Sequence, residues 1–370
     1  MRVAVLTNEY EPDIVGGLGT VATRLAEAMA ARGHDVVVVT KGHAKQIEDS
    51  ERSGVRVIRF PRESDYHSKR SQVFYAEPIL QYLESHVDKL DVLHIHSLQA
   101  DHLLTAMRKA YDARTVYTCH SLIASEGLQS SASRQMERRQ YEIMRAVDLI
   151  VAPSHWEKRM IGETYAKVTS PVRVIPNGVV QGSQGSRHRE PKILYAGRII
   201  RSKGIEELVR ALPLVRRKKP HIELDLQGAG SLRFTREMQA LSAKLHVERA
   251  VHLLGKCDYH SLQRRMARYS AVVVPSRTES FGLVALEAMA AGTPLISTRA
   301  GGLRDFVDPK VASIIANRTP QAIAKAILES LNDTEMTERR RRRAYERARD
   351  YTWSRISARY IDALEELTRL

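Results

Sequence analysis

The feature that most constrains the fold is an alternation that runs its course and then starts again. Short, uninterrupted apolar runs occupy residues 3–7, 36–40, 55–60, 92–95, 115–118 and 149–151. Most are separated by stretches of helical periodicity. In the clearest, 18–31, Val21, Leu25 and Met29 share one face and Gly33 closes it. After Asn177-Gly178 comes a polar run at 181–189, and the alternation resumes with apolar runs at 193–196, 222–226, 251–254, 271–274 and 295–297. Strands that are apolar on both faces, set between amphipathic helices, require a parallel sheet covered on both sides. The sequence therefore predicts an α/β protein with two doubly wound domains, 1–180 and 191–350, joined by a linker at 181–190. Ligands of such sheets sit at the carboxyl ends of the strands, so a cleft between the domains is expected. A final stretch, 351–370, carries Ile356, Tyr360, Ile361, Leu364 and Leu367 at helical spacing and must cover apolar surface.

Size and composition are consistent with this plan. A chain of 370 residues exceeds one ordinary core. No apolar run approaches the roughly 20 residues of a membrane span. The first residues read as a strand and show no signal-peptide pattern, and the two cysteines, Cys119 and Cys257, imply no disulfide framework, so a cytoplasmic location is expected. Lys and Arg number 58 against 43 Asp and Glu, a net charge of +15 that favours anionic partners. The densest cluster is Arg339 to Arg343 with Arg347 and Arg349, interleaved with Glu335, Glu338 and Glu346. It reads first as a solvated helix face and second as a peripheral contact with the inner, anionic membrane surface. No zinc-finger spacing or aromatic RNA-binding motif accompanies it, so no nucleic acid is expected.

Three loops carry chemistry. Gly16-Gly17-Leu18-Gly19 follows the first strand and opens the first helix, where missing side chains let backbone approach an anion or sugar. It is not the G-x-G-x-x-G dinucleotide fingerprint, and Gly228-Ala229-Gly230 lacks that motif's third glycine. Gly197-Arg198-Ile199-Ile200-Arg201-Ser202-Lys203-Gly204 follows the first strand of the second half, with Arg198 and Lys203 placed to converge on a diphosphate or, equally, to face solvent. In the segment from Arg277 to Gly292, Glu279 is expected on a loop at a helix N-terminus and Glu287 about two turns inside that helix. A helix N-terminus seats phosphate, and two flanking carboxylates suit hydroxyl-rich groups on either side of a diphosphate. That combination describes a nucleotide-sugar. His120 ends a strand at the ligand edge. Its strand neighbour Cys119 is expected on the opposite face, which argues against a nucleophile pair. His94 and His96 share a face, but no third suitably spaced ligand is present and no metal is expected.

The joint order of Gly16-Gly17-Leu18-Gly19, His120, Ser154, Asn177-Gly178, Gly197-Arg198…Lys203-Gly204 and Glu279…Glu287 resembles the retaining GT-B glycosyltransferases. Glycosyltransferase family 4 is the best match, over the whole chain. The resemblance implies two Rossmann-like domains, an acceptor-binding and a donor-binding one, and a last helix that crosses back to the first domain. It also implies a nucleotide-sugar donor and no metal or other cofactor. Carried over, Arg198 and Lys203 bind the donor diphosphate and stabilise its departure, and Glu279 holds hydroxyls of the transferred sugar. Backbone amides at Ser280, Phe281 and Gly282, with Leu283 beside them, position sugar and phosphate. Glu287 grips the ribose, Lys256 lies near the base, Gly16 and Gly17 admit the sugar-phosphate, and His120 approaches the sugar's outer hydroxyl. The acceptor is expected on first-domain loops between Ile123 and Arg145, where Arg134, Arg138, Arg139 and Arg145 suggest an anionic or lipid-linked molecule. One departure separates the chain from glycogen and starch synthases, which carry Lys-Thr-Gly-Gly-Leu at the first loop: here it is Ile14-Val15-Gly16-Gly17-Leu18. The expected activity is hexosyl or N-acetylhexosaminyl transfer from a UDP-sugar to an acceptor hydroxyl. Rival readings are a sugar-nucleotide epimerase of the same fold, an ADP-glucose-dependent glucan synthase, and a non-catalytic binder of sugar-nucleotides or anionic surfaces.

Overall fold

The computed structural model describes residues 1–62, 74–126, 130–182 and 189–369. Of the segment expected as a linker, 183–188 lie outside the described residues, as do 127–129 of the expected acceptor region. The chain divides into two compact units. One is Met1–Gly178 with Trp353–Leu370, and the other is Val179–Thr352.

The first unit contains β1 (Arg2–Leu6), β2 (Asp35–Gly42), β3 (Glu48–Arg52), β4 (Val55–Pro61), β5 (Val92–Ile95), β6 (Arg114–Thr118), β7 (Leu149–Ala152) and β8 (Val172–Val174). They form one sheet in the order β3-β4-β2-β1-β5-β6-β7-β8. Every pairing is parallel except β3 with β4, an antiparallel edge that the apolar pattern did not reveal. Its helices are α1 (Gly17–Ala30), α2 (Ala76–His86), α3 (Asp101–Tyr111), α4 (Ser131–Ala146), α5 (His155–Thr164) and, from the end of the chain, a helix at Trp353–Arg369. That terminal helix packs on α1 and buries Ile356, Tyr360, Ile361, Leu364 and Leu367, the positions its periodicity marks. The Arg32 guanidinium ties it down by donating to the Ser354 carbonyl at 2.6 Å and the Ser357 hydroxyl at 3.2 Å. Gly178 lies so close to the Trp353 ring that a Cβ would enter it.

The second unit holds β9 (Glu190–Ala196), β10 (Glu223–Gln227), β11 (Val251–Gly255), β12 (Tyr269–Val274), β13 (Leu295–Ser297) and β14 (Ser313–Ile314). The order is β11-β10-β9-β12-β13-β14 and the pairings are all parallel. Helices α6 (Ile205–Arg216), α7 (Leu232–Lys244), α8 (Tyr259–Met266), α9 (Leu283–Ala290), α10 (Pro320–Asn332) and α11 (Thr334–Ala348) complete it, and the terminal helix is α12. In each sheet the winding reverses beside the first strand, β1 in one unit and β9 in the other. The loops that follow β1, β5, β9 and β12 therefore flank the topological switch points, where open α/β sheets bind ligands.

Candidate active site

In the second unit, two switch-point loops meet. The Lys203 ammonium donates to Glu279 Oε1 at 2.7 Å, and the Ser276 hydroxyl donates to the same oxygen at 2.7 Å. Both partners of the ion pair are only 17% exposed. The Glu279 carbonyl accepts from Gly302 N at 2.8 Å, so the residue is held at backbone and side chain alike. Gly301, in the left-handed region at φ 56°, permits this approach, because a Cβ there would strike the Glu279 carbonyl. Sequence reasoning placed Lys203 and Glu279 on separate parts of a donor; here they are also partners of each other.

Helix α9 starts at Leu283, directly after Gly282. Phe281 is buried against Phe306, with ring centroids 5.0 Å apart, and Gly282 caps the helix at φ 104°. Glu287 therefore lies one turn inside α9, not two. The helix is apolar all round, Leu-Val-Ala-Leu-Glu-Ala-Met-Ala, and carries its one carboxylate into the interior. Glu287 is 6% exposed, and its carboxylate makes no hydrogen bond among the described residues, while its backbone carbonyl accepts from Ala291 N at 2.8 Å. Burial alone pushes its pKa up to about 7.

Loop 197–204 is shaped by its neighbours. Ile199 N donates to the Ala229 carbonyl at 2.8 Å, and Gly197 N to the Gln227 carbonyl at 3.0 Å. A Cβ on Gly228 would fall on the Gly197 carbonyl, and one on Gly230 on the Ile199 carbonyl. The Gly-Ala-Gly segment is thus a backbone-to-backbone seam supporting the Arg198 loop, a role beyond turning strand into helix. Tyr195, buried on β9, donates its hydroxyl to the Arg198 carbonyl at 2.6 Å. Arg198 itself is exposed at the loop's start, and Lys256 is exposed just beyond β11. Tyr195 and Ser276 were not anticipated; Tyr195 was visible only as one more apolar strand residue.

In the first unit, the ends of β1, β2, β5 and β6 enclose a cavity of about 300 Å³. Asn8, Glu9, Lys41, His96, His120 and Gln140 line it. Burial, then the nearby Arg62 cation, lowers the Lys41 pKa. Gln140 fixes the rim: its amide donates to the Tyr117 hydroxyl at 3.0 Å and the Ser121 carbonyl at 2.7 Å, and accepts from Ile123 N at 3.0 Å. The Glu9 carboxylate takes hydrogen bonds from Val15 N and Gly16 N at 2.9 and 3.0 Å, and so occupies amides of the glycine loop. Gly16 has extended backbone and open space where a Cβ would stand, whereas Gly19 presses on Glu9. Three histidines meet beneath the cavity. His96 Nδ1 is 3.0 Å from His120 Nε2, and the His94 and His96 rings lie 4.2 Å apart. Burial pushes His94 and His120 down to about 3 and His96 well below its ordinary value, so all three are neutral near pH 7. Among the described residues no group of three His, Cys, Asp or Glu side chains could hold a metal ion.

The expected acceptor arginines are not brought to this cavity. Met136 and Gln140 of α4 line it, and Arg134 and Arg138, exposed, fall on the opposite face of that helix. Arg139 pairs with Asp101 at 3.6 Å, and Arg145 lies over the Tyr141 ring. In the arginine-rich α11, Arg339, Arg340 and Arg341 are ion-paired, as are Arg347 and Arg349 close by. Among the described residues no helix is long and apolar enough to cross a membrane.

Two doubly wound units with charged loops at their switch points are the architecture of the GT-B glycosyltransferases, and the family models place the chain in that class. The model for Glycosyltransferase Family 4 matches residues 15–180, and that for Glycosyl transferases group 1 matches 180–347. A glycogen synthase of Mycobacterium tuberculosis is 31% identical, over 96% of this chain and 92% of that protein. A D-inositol 3-phosphate glycosyltransferase of Corynebacterium jeikeium is 27% identical over 99% and 97%. Among solved structures, sucrose-phosphate synthase from Thermosynechococcus elongatus superposes with a TM-score of 0.81 at 22% identity, covering 99% of this chain and 98% of the other. Anabaena HepE in complex with UDP-glucose gives 0.79 at 18%, covering 99% and 100%. The chain belongs to glycosyltransferase family 4.

Proposed function

We propose that the protein is a retaining, metal-independent hexosyl- or N-acetylhexosaminyltransferase that uses a nucleotide diphosphate sugar. The observation that carries this reading is the Lys203–Glu279 pair at the second sheet's switch point, with the buried Glu287 carboxylate on α9, the helix that follows the same loop. A buried carboxylate without partners is tolerated where a ligand supplies them, and vicinal ribose hydroxyls are suitable donors. As the bond from the sugar to the diphosphate breaks, negative charge grows on the leaving oxygens. Lys203 and the exposed Arg198 are cations suited to stabilise it selectively in the transition state. The acceptor hydroxyl forms the new bond on the same face and passes its proton to a leaving phosphate oxygen. Glu279 has one carboxylate oxygen engaged and the other available to a sugar hydroxyl.

UDP-sugars are the first choice of donor, supported by the fold shared with HepE, whose structures hold UDP and UDP-glucose. ADP-glucose is the second reading, favoured by the 31% identity to a glycogen synthase and opposed by the absence of a lysine at the first loop. The acceptor is read into the first unit's cavity. About 300 Å³ suits a compact, hydroxyl-rich molecule, and the lining offers both cations, Lys41 and Arg62, and carboxylates, Glu9 and Asp13, as hydrogen-bond partners for its hydroxyls. A thermal-shift screen of UDP-, ADP- and GDP-sugars tests the donor. A ligand at 100 times its Kd stabilises by about 2.7 kcal/mol, so one nucleotide class should raise the melting temperature clearly above the others. No shift with any of them would remove the donor assignment.

A further inference from the structure

We infer that His96 is a positioning residue that fixes His120 as the Nδ1–H tautomer, so that His120 presents an N–H donor to the first unit's cavity. The functional consequence rests on the proposed transferase reading, with His120 at the sugar as the family resemblance implies, but the tautomer is argued from geometry alone. His96 Nδ1 and His120 Nε2 are 3.0 Å apart, so one must carry the shared proton. The other nitrogen of His96, Nε2, is sealed from solvent and has no partner; the same is true of His94 Nδ1. A buried N–H without an acceptor is rarely tolerated, and an unused lone pair is tolerated more easily. Each ring therefore keeps its proton on the nitrogen that has a partner. For His94 that is Nε2, which donates to Thr118 Oγ1 at 2.7 Å; the threonine oxygen in turn lies 3.3 Å from the Tyr360 hydroxyl. For His96 it is Nδ1, which donates to His120 Nε2. With Nε2 of His120 accepting, its own proton must sit on Nδ1, the nitrogen with no partner among the described residues. Neutral rings are required, and burial keeps all three neutral.

The arrangement has a chemical consequence. A free imidazole prefers its proton on Nε2, so the unsupported ring would turn an acceptor toward a ligand. Supported by His96, it offers a donor, which recognises the lone pairs of a sugar hydroxyl or ring oxygen without demanding the ligand's proton. Outer partners that set a histidine's tautomer in metal sites typically cost about 10- to 100-fold when removed, and a loss of that order is expected here.

The test is direct. The full chain is labelled with nitrogen-15 histidine, and the rings are assigned by through-bond correlation in the wild-type protein. The expected spectrum gives His120 as Nδ1–H and His96 as Nδ1–H near pH 7.5. His120 found as Nε2–H in the wild-type chain overturns the inference without any variant having to fold. In His96→Phe the His120 proton should shift toward Nε2 and kcat should fall roughly 10- to 100-fold. His96→Gln, whose amide can still donate, should restore both. If the tautomer shifts as expected while transfer is untouched, the assignment of His96 stands and the placement of His120 at the sugar falls.

Discussion

Glu287 carries opposing roles that a single substitution can separate. Its folded pKa of about 7 lies above the ordinary carboxylate value of 4.5, because burial disfavours its charged form. The sign follows: stability is complete below pH 4.5 and is lost as pH rises through about 7, where the buried group must ionise. The loss above pH 8 is up to about 3 kcal/mol. Glu287→Gln should therefore raise the melting temperature of the unliganded protein at pH 8, abolish that pH slope, and weaken nucleotide binding. A lower melting temperature for the variant at pH 8 would contradict this account of its burial. Arg198→Ala should leave melting unchanged and lower turnover by about 100- to 1,000-fold, the usual cost of losing one preorganised charge donor. The glycines divide by the same logic. Gly228→Ala drives a Cβ into the Gly197 carbonyl at φ 147° and should cost more than about 4 kcal/mol, seen as loss of the native melting transition. Gly16→Ala meets open space on extended backbone and should melt normally. A fall in donor affinity in that variant would then locate the ligand at the loop.

At the scale of elements, α12 is the most exposed to test. It ends the sequence yet completes the first unit, covering α1 with Ile356, Tyr360, Ile361, Leu364 and Leu367. Each such side chain contributes about 1.5–3 kcal/mol when buried. Truncation after Thr352 should therefore remove a stability comparable to that of a whole domain and render Met1–Gly178 sensitive to limited proteolysis; a truncated chain as resistant as the full one would refute the packing role. Legibility varied by element for physical reasons. The central strands and α12 were readable because both faces, or one stripe, are apolar. β3, Glu-Asp-Ser-Glu-Arg, is exposed throughout and is held by its antiparallel pairing with β4 and by polar side-chain contacts such as Arg52 to Glu11, so no apolar periodicity announces it. Glu287 was expected about two turns into α9 and lies one turn in, because the helix begins only after the left-handed Gly282. The cavity was invisible in sequence, since Asn8, Lys41, His96 and Gln140 come from four separate elements and converge only through topology.

For the molecule as a whole, a family 4 glycosyltransferase of the GT-B type needs little more from its chain than two switch points dressed with the right loops. Motif order picked out Lys203, Glu279 and Glu287 because they sit on short segments around one switch point, and the structure pairs the first two. Arg134 and Arg138 were legible as charge counted along the chain, but that they face away from the first unit's cavity had to be resolved in space. The measurement closest to the central claim is release of nucleoside diphosphate from UDP-, ADP- and GDP-sugars in the presence of small hydroxylated acceptors. It should be made on the wild-type chain and Lys203→Ala side by side. The account predicts turnover of one donor by the wild type, a variant slower by about 100- to 1,000-fold, and a native melting transition in both. Equal rates from the two proteins would contradict it.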